Sequence, residues 1–371
     1  MSTSLVPLVP LRYPWFLDIL ENNLLAPFTT FGIGGPARWF VEAATEVEIE
    51  EAVAWAAERK IDLFVLGGGS NLLVSDAGFD GLVLRIALRS INALAAPPHH
   101  RIFQVAAGES WEDFVQQAVE LGCAGIECLA GIPGTVGGTP VQNVGAYGQE
   151  VSSVIDRVRA YDLRERAFVE FTAAECAFAY RRSRFNTEDR GRFIVTRVDY
   201  RLTPGGAPTI HYADLERALQ TAHPAGAQPT LAQVAATVRC IRQSKGMLLV
   251  EGDPDCRSAG SFFKNPVIPE VLFQRIRARS AAAAPPVFPA GPGPESAGLV
   301  KIPAAWLIEQ AGFSKGYVLG NAAISSRHTL ALTNRGAATA DEILTLADRI
   351  RAAVESSFGI ALQMEPVLVG F

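Results

Sequence analysis

Three polar clusters in this 371-residue chain have the makings of a reaction centre, because each sets ionisable groups among aromatic or small residues. The first, Ala179-Tyr180-Arg181-Arg182-Ser183-Arg184-Phe185, puts three arginines into four positions with Phe178, Tyr180 and Phe185 around them. A guanidinium held against an aromatic wall can clamp a carboxylate or phosphate through paired hydrogen bonds. A solvated charge run is the plainer alternative. The second, Ser258-Ala259-Gly260-Ser261-Phe262-Phe263-Lys264-Asn265-Pro266, reads as a tight turn entering a strand. Ser261 there is either a backbone cap or a proton donor. The third is Glu365, on what reads as a final strand, with Gln363 on its face and Leu362 and Met364 on the other. If that face lines a cleft, the carboxylate can position a substrate or move a proton.

Two glycine-rich stretches indicate what such groups would work on. Leu129 to Gly148, LAGIPGTVGGTPVQNVGAYG, carries six glycines, two prolines and no charged residue. Glycine lets a backbone approach a ligand closely, and a stretch of this length inside a domain is usually functional. It reads as backbone wrapped around a large, flat, partly apolar ligand. Gly67-Gly68-Gly69-Ser70-Asn71 follows the apolar run Leu63–Leu66. Successive N–H groups in such a turn form a nest for a pyrophosphate. It is neither G-x-G-x-x-G opening a helix nor a P-loop. Together the two loops point to a dinucleotide held without the Rossmann fingerprint. Neither contains His or Cys, so the cofactor is expected to be untethered.

The elements that must carry these groups are also legible. Residues 1–26 read as an irregular lead-in. A strand over Arg38–Glu42 precedes a helix opened by a Thr45/Glu48 capping box, and a strand ends at Gly67, making a βαβ-like unit. Strands are expected at Leu82–Ile86, Ile102–Ala106, Val154–Asp162 and Phe168–Phe171. A turn is expected at Pro97–His100, a helix opened by a Ser110/Asp113 capping box, and another over Leu231–Ile241. Residues 192–202 alternate, with Ile194, Thr196, Val198, Tyr200 and Leu202 on one face, as a half-buried antiparallel strand does. Residues 279–299, rich in Ala, Pro and Gly, read as a surface loop. A Thr339/Glu342 box opens a last helix ending at Gly359, followed by a strand from Ile360 to Val369. Mixed order without strict alternation indicates an α+β fold.

Bulk properties exclude several classes. Hydrophobic content of 49% with 19% charged residues is that of a globular protein. A net charge of −5 argues against a nucleic-acid surface. The five cysteines show no C-x-x-C spacing, so neither zinc nor a disulfide framework is indicated. No signal peptide or membrane span is evident, and the expected location is cytoplasmic.

TTFGIGGPA, LGGGSN, AGIPGTVGGTPVQNVGAYG, AYRRSRF, SAGSFFKNP and QMEPVLVG, in that order from about Asn23 to Gly370, resemble the blocks of the UDP-N-acetylenolpyruvoylglucosamine reductase family. These are flavoproteins of bacterial peptidoglycan precursor synthesis. The resemblance implies an FAD-binding domain of the vanillyl-alcohol-oxidase (PCMH) type in two α+β subdomains, residues 1–87 and 88–245. A smaller α+β substrate-binding domain, 246–371, would follow, its last strand at about 360–371 returning to the first subdomain. It implies non-covalent FAD, NADPH as co-substrate, and UDP-N-acetylglucosamine enolpyruvate as substrate. Hydride would pass from flavin N5 to C3 and a proton from Ser261 to C2, giving UDP-N-acetylmuramate. Arg181 matches the arginine that polarises the enolpyruvyl carboxylate, Ser261 the proton donor, and Glu365 the glutamate beside it. Tyr212 matches the tyrosine that closes over the UDP-sugar, and Lys245, Asn265 and Gln310 match further substrate-side positions. Flavin contacts would come from Gly67, Gly68, Gly69, Ser70 and Asn71, and from Gly131, Ile132, Pro133, Gly134, Thr135, Gly138, Asn143, Gly145, Ala146 and Tyr147. The enzyme would be a monomer without a metal, and without nucleic-acid or membrane partners. The runner-up is another FAD-dependent oxidoreductase of the same fold.

Overall fold

A computed structural model of the chain describes residues 17–95, 99–222, 228–279, 285–290 and 296–371. Pairing begins earlier than the expected lead-in allows, because β1 (Leu20–Leu24) lies antiparallel to β2 (Pro36–Ala43). The rest of that lead-in, residues 1–16, lies outside the described residues. Thr45 accepts from Glu48 N and Glu48 returns a bond to Thr45 N, so α1 (Glu46–Arg59) starts at the expected capping box. β3 (Leu63–Leu66), β4 (Leu72–Val74) and β5 (Phe79–Ile86) follow. β2 and β3 both run parallel to β5, giving a sheet of order β1-β2-β5-β3. The two-residue period sends Val41, Leu82 and Leu84 to one core and Phe40, Leu66 and Val83 to another.

A six-stranded antiparallel sheet forms the middle of the molecule. β6 (Ile91–Ala95) and β7 (Arg101–Ala106) are followed by α2 (Trp111–Glu120) and β8 (Cys123–Ala124). α3 (Thr139–Gln142) leads to the small hairpin β9 (Gly145–Ala146) and β10 (Gln149–Glu150). β11 (Ile155–Asp162), β12 (Ala167–Thr172) and β13 (Phe193–Pro204) complete the order β12-β11-β13-β7-β6, with β8 on β13. α4 (Ala213–Ala222) and α5 (Leu231–Ser244) close this part. Of the expected Pro97–His100 turn, residues 97 and 98 lie outside the described residues. The Ser110 box is only half made: its hydroxyl accepts from Asp113 N, but no bond returns. Asp199, expected on the polar face of β13, is buried because the Arg197 side chain covers it at 2.7 Å. The long glycine stretch, read from sequence as backbone wrapped around a ligand, is not irregular throughout: it contains a 3₁₀ turn at Val136–Gly138 and α3. The correction has a local cause: Gly137 N donates to Ala107 O at 2.8 Å and the Thr139 hydroxyl to Val136 O at 2.8 Å.

The C-terminal part holds β14 (Val267–Pro269), α6 (Glu270–Arg279), β15 (Phe288–Pro289) and β16 (Leu299–Lys301). Then come α7 (Ala304–Gln310), β17 (Val318–Leu319), β18 (Ala322–Ile324), β19 (Leu332–Asn334), α8 (Ala340–Phe358) and β20 (Val367–Val369). Two three-stranded sheets result, β14-β16-β15 and β17-β18-β19. The insertion at 279–299 is therefore not a plain loop: β15 and the start of β16 lie in it, while residues 280–284 and 291–295 lie outside the described residues. The expected strand from Ile360 shrinks to three residues, since only Val367–Val369 finds a ladder partner, the parallel β4. The cores interlock. Phe31, Ile33 and Leu73 pack among Phe262, Phe263, Leu307, Ile343 and Leu346 of the C-terminal core.

Candidate active site

The two glycine loops meet. A Cβ added to Gly68 would lie 2.5 Å from Gly134 Cα and 2.8 Å from Thr135 N, so only glycine permits this approach. The second loop is held from below: Trp111 N donates to Gly134 O, and Val136 N to Glu109 O. Gly131 is gripped at both ends of its peptide group, by the Glu112 carboxylate and by Arg242 Nε at 2.9 Å. Among the described residues, the N–H groups of Gly68, Gly69 and Ser70 find no acceptor, and the buried Thr135 hydroxyl has no partner. Free donors converging on a closely packed glycine cradle suit a pyrophosphate and the polar edge of a large cofactor. Asn143 is used differently. Its amide donates to Glu150 Oε2 and Ala179 O, both at 3.0 Å, and accepts from Ser152 N, so it pins the loop rather than offering donors to a ligand. Gly145 and Ala146 form β9, and Tyr147 and Gly148 turn the hairpin with φ of +49° and +86°. That two-residue turn demands positive φ twice, which places Tyr147 at the tip.

The three arginines separate into distinct roles. Arg184 bonds Asp189 at 2.8 and 2.6 Å and lies 4.2 Å over the Phe171 ring, a structural arrangement. Arg182 is exposed. Arg181 turns inward: Nη2 donates to Gly145 O at 2.8 Å and Nε lies 3.2 Å from Glu365 Oε1. Glu365 reaches it through an irregular segment, not the strand expected from sequence. Glu365 N donates to Phe262 O, Lys264 N to Gln363 O, and Phe263 bridges Met364. This short ladder ties the segment that follows Ser261 to the one that carries Glu365. Ser258 takes the capping duty, accepting from Gly260 N at 3.3 Å, whereas the Ser261 hydroxyl makes no hydrogen bond among the described residues. Burial raises the Glu365 carboxyl above its ordinary range, against the pull of Arg181 and Lys264. The Asn71 amide donates to Glu365 O at 3.2 Å, so the first glycine turn touches this segment directly.

A second group of residues faces Tyr147. The Tyr212 ring meets it edge-on, with centroids 5.5 Å apart. Lys245 Nζ stands 6.0 Å from the Tyr147 ring and 3.4 Å from Asp214 Oδ2. Asn265 is engaged within the protein, accepting from Ala304 N at 2.9 Å. Gln310 is exposed at the end of α7, and no contact draws it to the others. Sequence reading missed Arg242, buried among Gly131 O, Met247 O and the Tyr147 side chain, its pKa lowered by burial. A signal existed: Leu231, Val234, Ala235, Val238 and Arg242 share the apolar stripe of α5.

Residues 253–369 match the model of the UDP-N-acetylenolpyruvoylglucosamine reductase C-terminal domain, and residues 37–165 that of an FAD binding domain. A UDP-N-acetylenolpyruvoylglucosamine reductase of Streptomyces coelicolor is 47% identical over 369 residues, covering 98% of this chain and 93% of the relative. The chain belongs to the UDP-N-acetylenolpyruvoylglucosamine reductase family. The reductase of Thermobifida fusca is 44% identical over 94% of this chain and 98% of its own. The crystal structure of the Thermus caldophilus reductase superposes with a TM-score of 0.64 at 27% identity, covering 95% of this chain and all of that one. The α+β fold thus has an FAD-binding part, and the chain is an FAD-dependent oxidoreductase. No helix among the described residues is long and apolar enough to cross a membrane, and none of their His, Cys, Asp and Glu groups could hold a metal.

Proposed function

We propose that this chain is a monomeric cytoplasmic enzyme that reduces UDP-N-acetylglucosamine enolpyruvate to UDP-N-acetylmuramate at the expense of NADPH. Residues 1–87 and 88–245 would bind FAD, and residues 246–371 the nucleotide sugar. One observation carries the reading: a partly buried Arg181–Glu365 pair stands on a segment bonded both to the chain after Ser261 and to Asn71 of a glycine cradle suited to a dinucleotide. FAD, when bound by residues 67–71 and 131–147, supplies the hydride that reaches C3 of the enolpyruvyl group. Negative charge then develops at C2 and spreads onto the substrate carboxylate. Arg181 meets that carboxylate. It is already oriented by Gly145 O and Glu365, so little reorganisation is needed as charge grows. Ser261, whose hydroxyl proton is uncommitted, delivers it to C2. Glu365 tunes the site beside them. Tyr212 and Lys245, both beside the Tyr147 ring, would close over the diphosphate.

The flavin is held without a covalent bond in this reading. Cys128, which directly precedes the long loop, is buried and donates to Thr209 O at 3.1 Å. Burial pushes its thiol up to about 12, so it is no nucleophile toward a flavin ring. Acid precipitation should leave the yellow chromophore in the supernatant. Flavin retained in the pellet would favour a tethered oxidase instead. The proton step is tested by stopped-flow absorbance on the two half-reactions. Ser261→Ala should keep FAD and its reduction by NADPH, and slow reoxidation by the enolpyruvyl sugar at least about 10²-fold, as loss of a general acid does. Reoxidation at the wild-type rate would return Ser261 to an ordinary turn serine.

A further inference from the structure

Ala179 and Arg182 exchange backbone hydrogen bonds at 2.9 and 3.0 Å, leaving Tyr180 and Arg181 as a two-residue tip. Arg181 takes φ +56° there, a left-handed conformation that turns usually assign to glycine or asparagine. A side chain kept in such a position must be held by its surroundings. Arg181 is held by Gly145 O and Glu365. Its neighbour is held from the opposite part of the chain. Lys301 Nζ stands 4.6 Å from the centre of the Tyr180 ring, while the Arg181 guanidinium lies 5.4 Å from the same centre.

Lys301 owes its place to the insertion. It ends β16, the middle strand of β14-β16-β15, with Val267 directly opposite on one side and Phe288 on the other. Directly opposed residues share a face of the sheet, so Lys301 projects between two apolar neighbours. Without β15, which the Ala/Pro/Gly-rich segment supplies, β16 would be an edge strand and the register of Lys301 would lose one of its two anchors.

We propose that Lys301 is a positioning residue for the carboxylate clamp, and that β15 of the insertion serves to hold it there. The ammonium grips the Tyr180 ring, and Tyr180 fixes the strained turn from which Arg181 projects. The inference rests on the reading of Arg181 as the group that meets the substrate carboxylate.

Steady-state and half-reaction kinetics of the FAD-loaded full chain test it. Lys301→Met keeps the aliphatic stem and removes the ammonium. It should raise KM for the enolpyruvyl sugar roughly ten-fold, the scale of a partly desolvated cation–π contact. The fall in kcat should be smaller, and flavin reduction by NADPH should keep its rate. Lys301→Arg, which returns a cation to the ring, should recover most of the KM. Phe288→Pro, which breaks the pairing of β15, should move KM in the same direction as Lys301→Met. An unchanged KM in Lys301→Met overturns the proposal. So does equal slowing of both half-reactions with a lowered Tm, the mark of a merely structural loss, or failure of Lys301→Arg to recover. A silent Phe288→Pro removes the insertion's part. Arg181→Lys is measured alongside: if it leaves the sugar KM unchanged, the clamp reading itself fails. If it raises KM while Lys301→Met does not, the clamp stands and the brace falls.

Discussion

Arg181 and Glu365 form an ion pair whose two members are buried unequally, with side-chain exposures of 22% and 14%. The carboxyl of Glu365 is raised by burial despite the nearby cations, so the folded protein holds that proton more tightly than the unfolded chain does. The group's favourable contribution is therefore complete below its ordinary pKa and lost as pH rises through the raised one. Glu365→Gln has no charge to bury. It leaves Arg181 unpaired, but arginine stays protonated throughout, so that cost is independent of pH. The Tm of Glu365→Gln relative to wild type should thus climb as pH rises above roughly 4. Thermal unfolding of both proteins from acid to neutral pH checks this, and parallel curves would contradict it.

The loops and turns do the holding. Gly68 and Gly134 approach so closely that a methyl group on Gly68 would meet backbone, not a side chain able to swing away. Gly68→Ala must push the two loops apart, an overpacking cost of about 1–3 kcal/mol. FAD bridges those loops in the proposed arrangement, so its affinity should fall by a similar factor while the rest of the fold persists. Flavin fluorescence titration of the apoprotein would measure it; wild-type affinity would show that the cradle is softer than its geometry. The helices that support the loops begin at side-chain caps. Thr45, Thr230 and Thr339 each make a reciprocal box, which explains why α1, α5 and α8 start where they do.

Across the molecule, the FAD-binding and C-terminal parts are joined by more than a shared core. Asp255, almost fully buried, accepts from Ser326 N at 3.0 Å, Ser326 Oγ at 2.6 Å, Arg327 Nε at 3.1 Å and Arg335 Nη1 at 3.3 Å. Arg327 in turn donates to Gln243 O at 2.9 Å, on the last turn of α5. Burial alone would raise the Asp255 carboxyl, yet these bonds hold it below its usual range. Asp255→Ala would leave Arg335 without its carboxylate and Arg327 with Asp253 alone, and would remove the acceptor of Ser326. Losing this acceptor leaves buried donors unsatisfied, a cost of about 1–3 kcal/mol, and chemical denaturation should show a loss of that order. A loss under about 1 kcal/mol would mean that solvent screens the site as it does surface pairs.

Local chemistry was readable from the chain in order. The Thr45 and Thr339 boxes, the Gly359 stop, the antiparallel period of β13 and the two glycine loops depend on neighbours a few residues apart, and all have their counterparts in the fold. Residue types alone did not say which arginine of the three turns inward; only the family resemblance singled out Arg181. Arg184 is claimed by Asp189 and Phe171, whereas Arg181 is drawn in by Gly145 and Glu365, the latter 184 positions away. Arg242 sat in view on an apolar stripe, but its meaning needed the Gly131 carbonyl that receives it. The strand expected from Ile360 and the loop expected at 279–299 failed for a common reason. A strand exists only where another offers its hydrogen bonds: β4 offers them to Val367–Val369, and β16 to Phe288–Pro289. Caps, turns and periods are set by bonds within a few residues, whereas the partners of a buried charge or a sheet edge are set by where the folded chain returns.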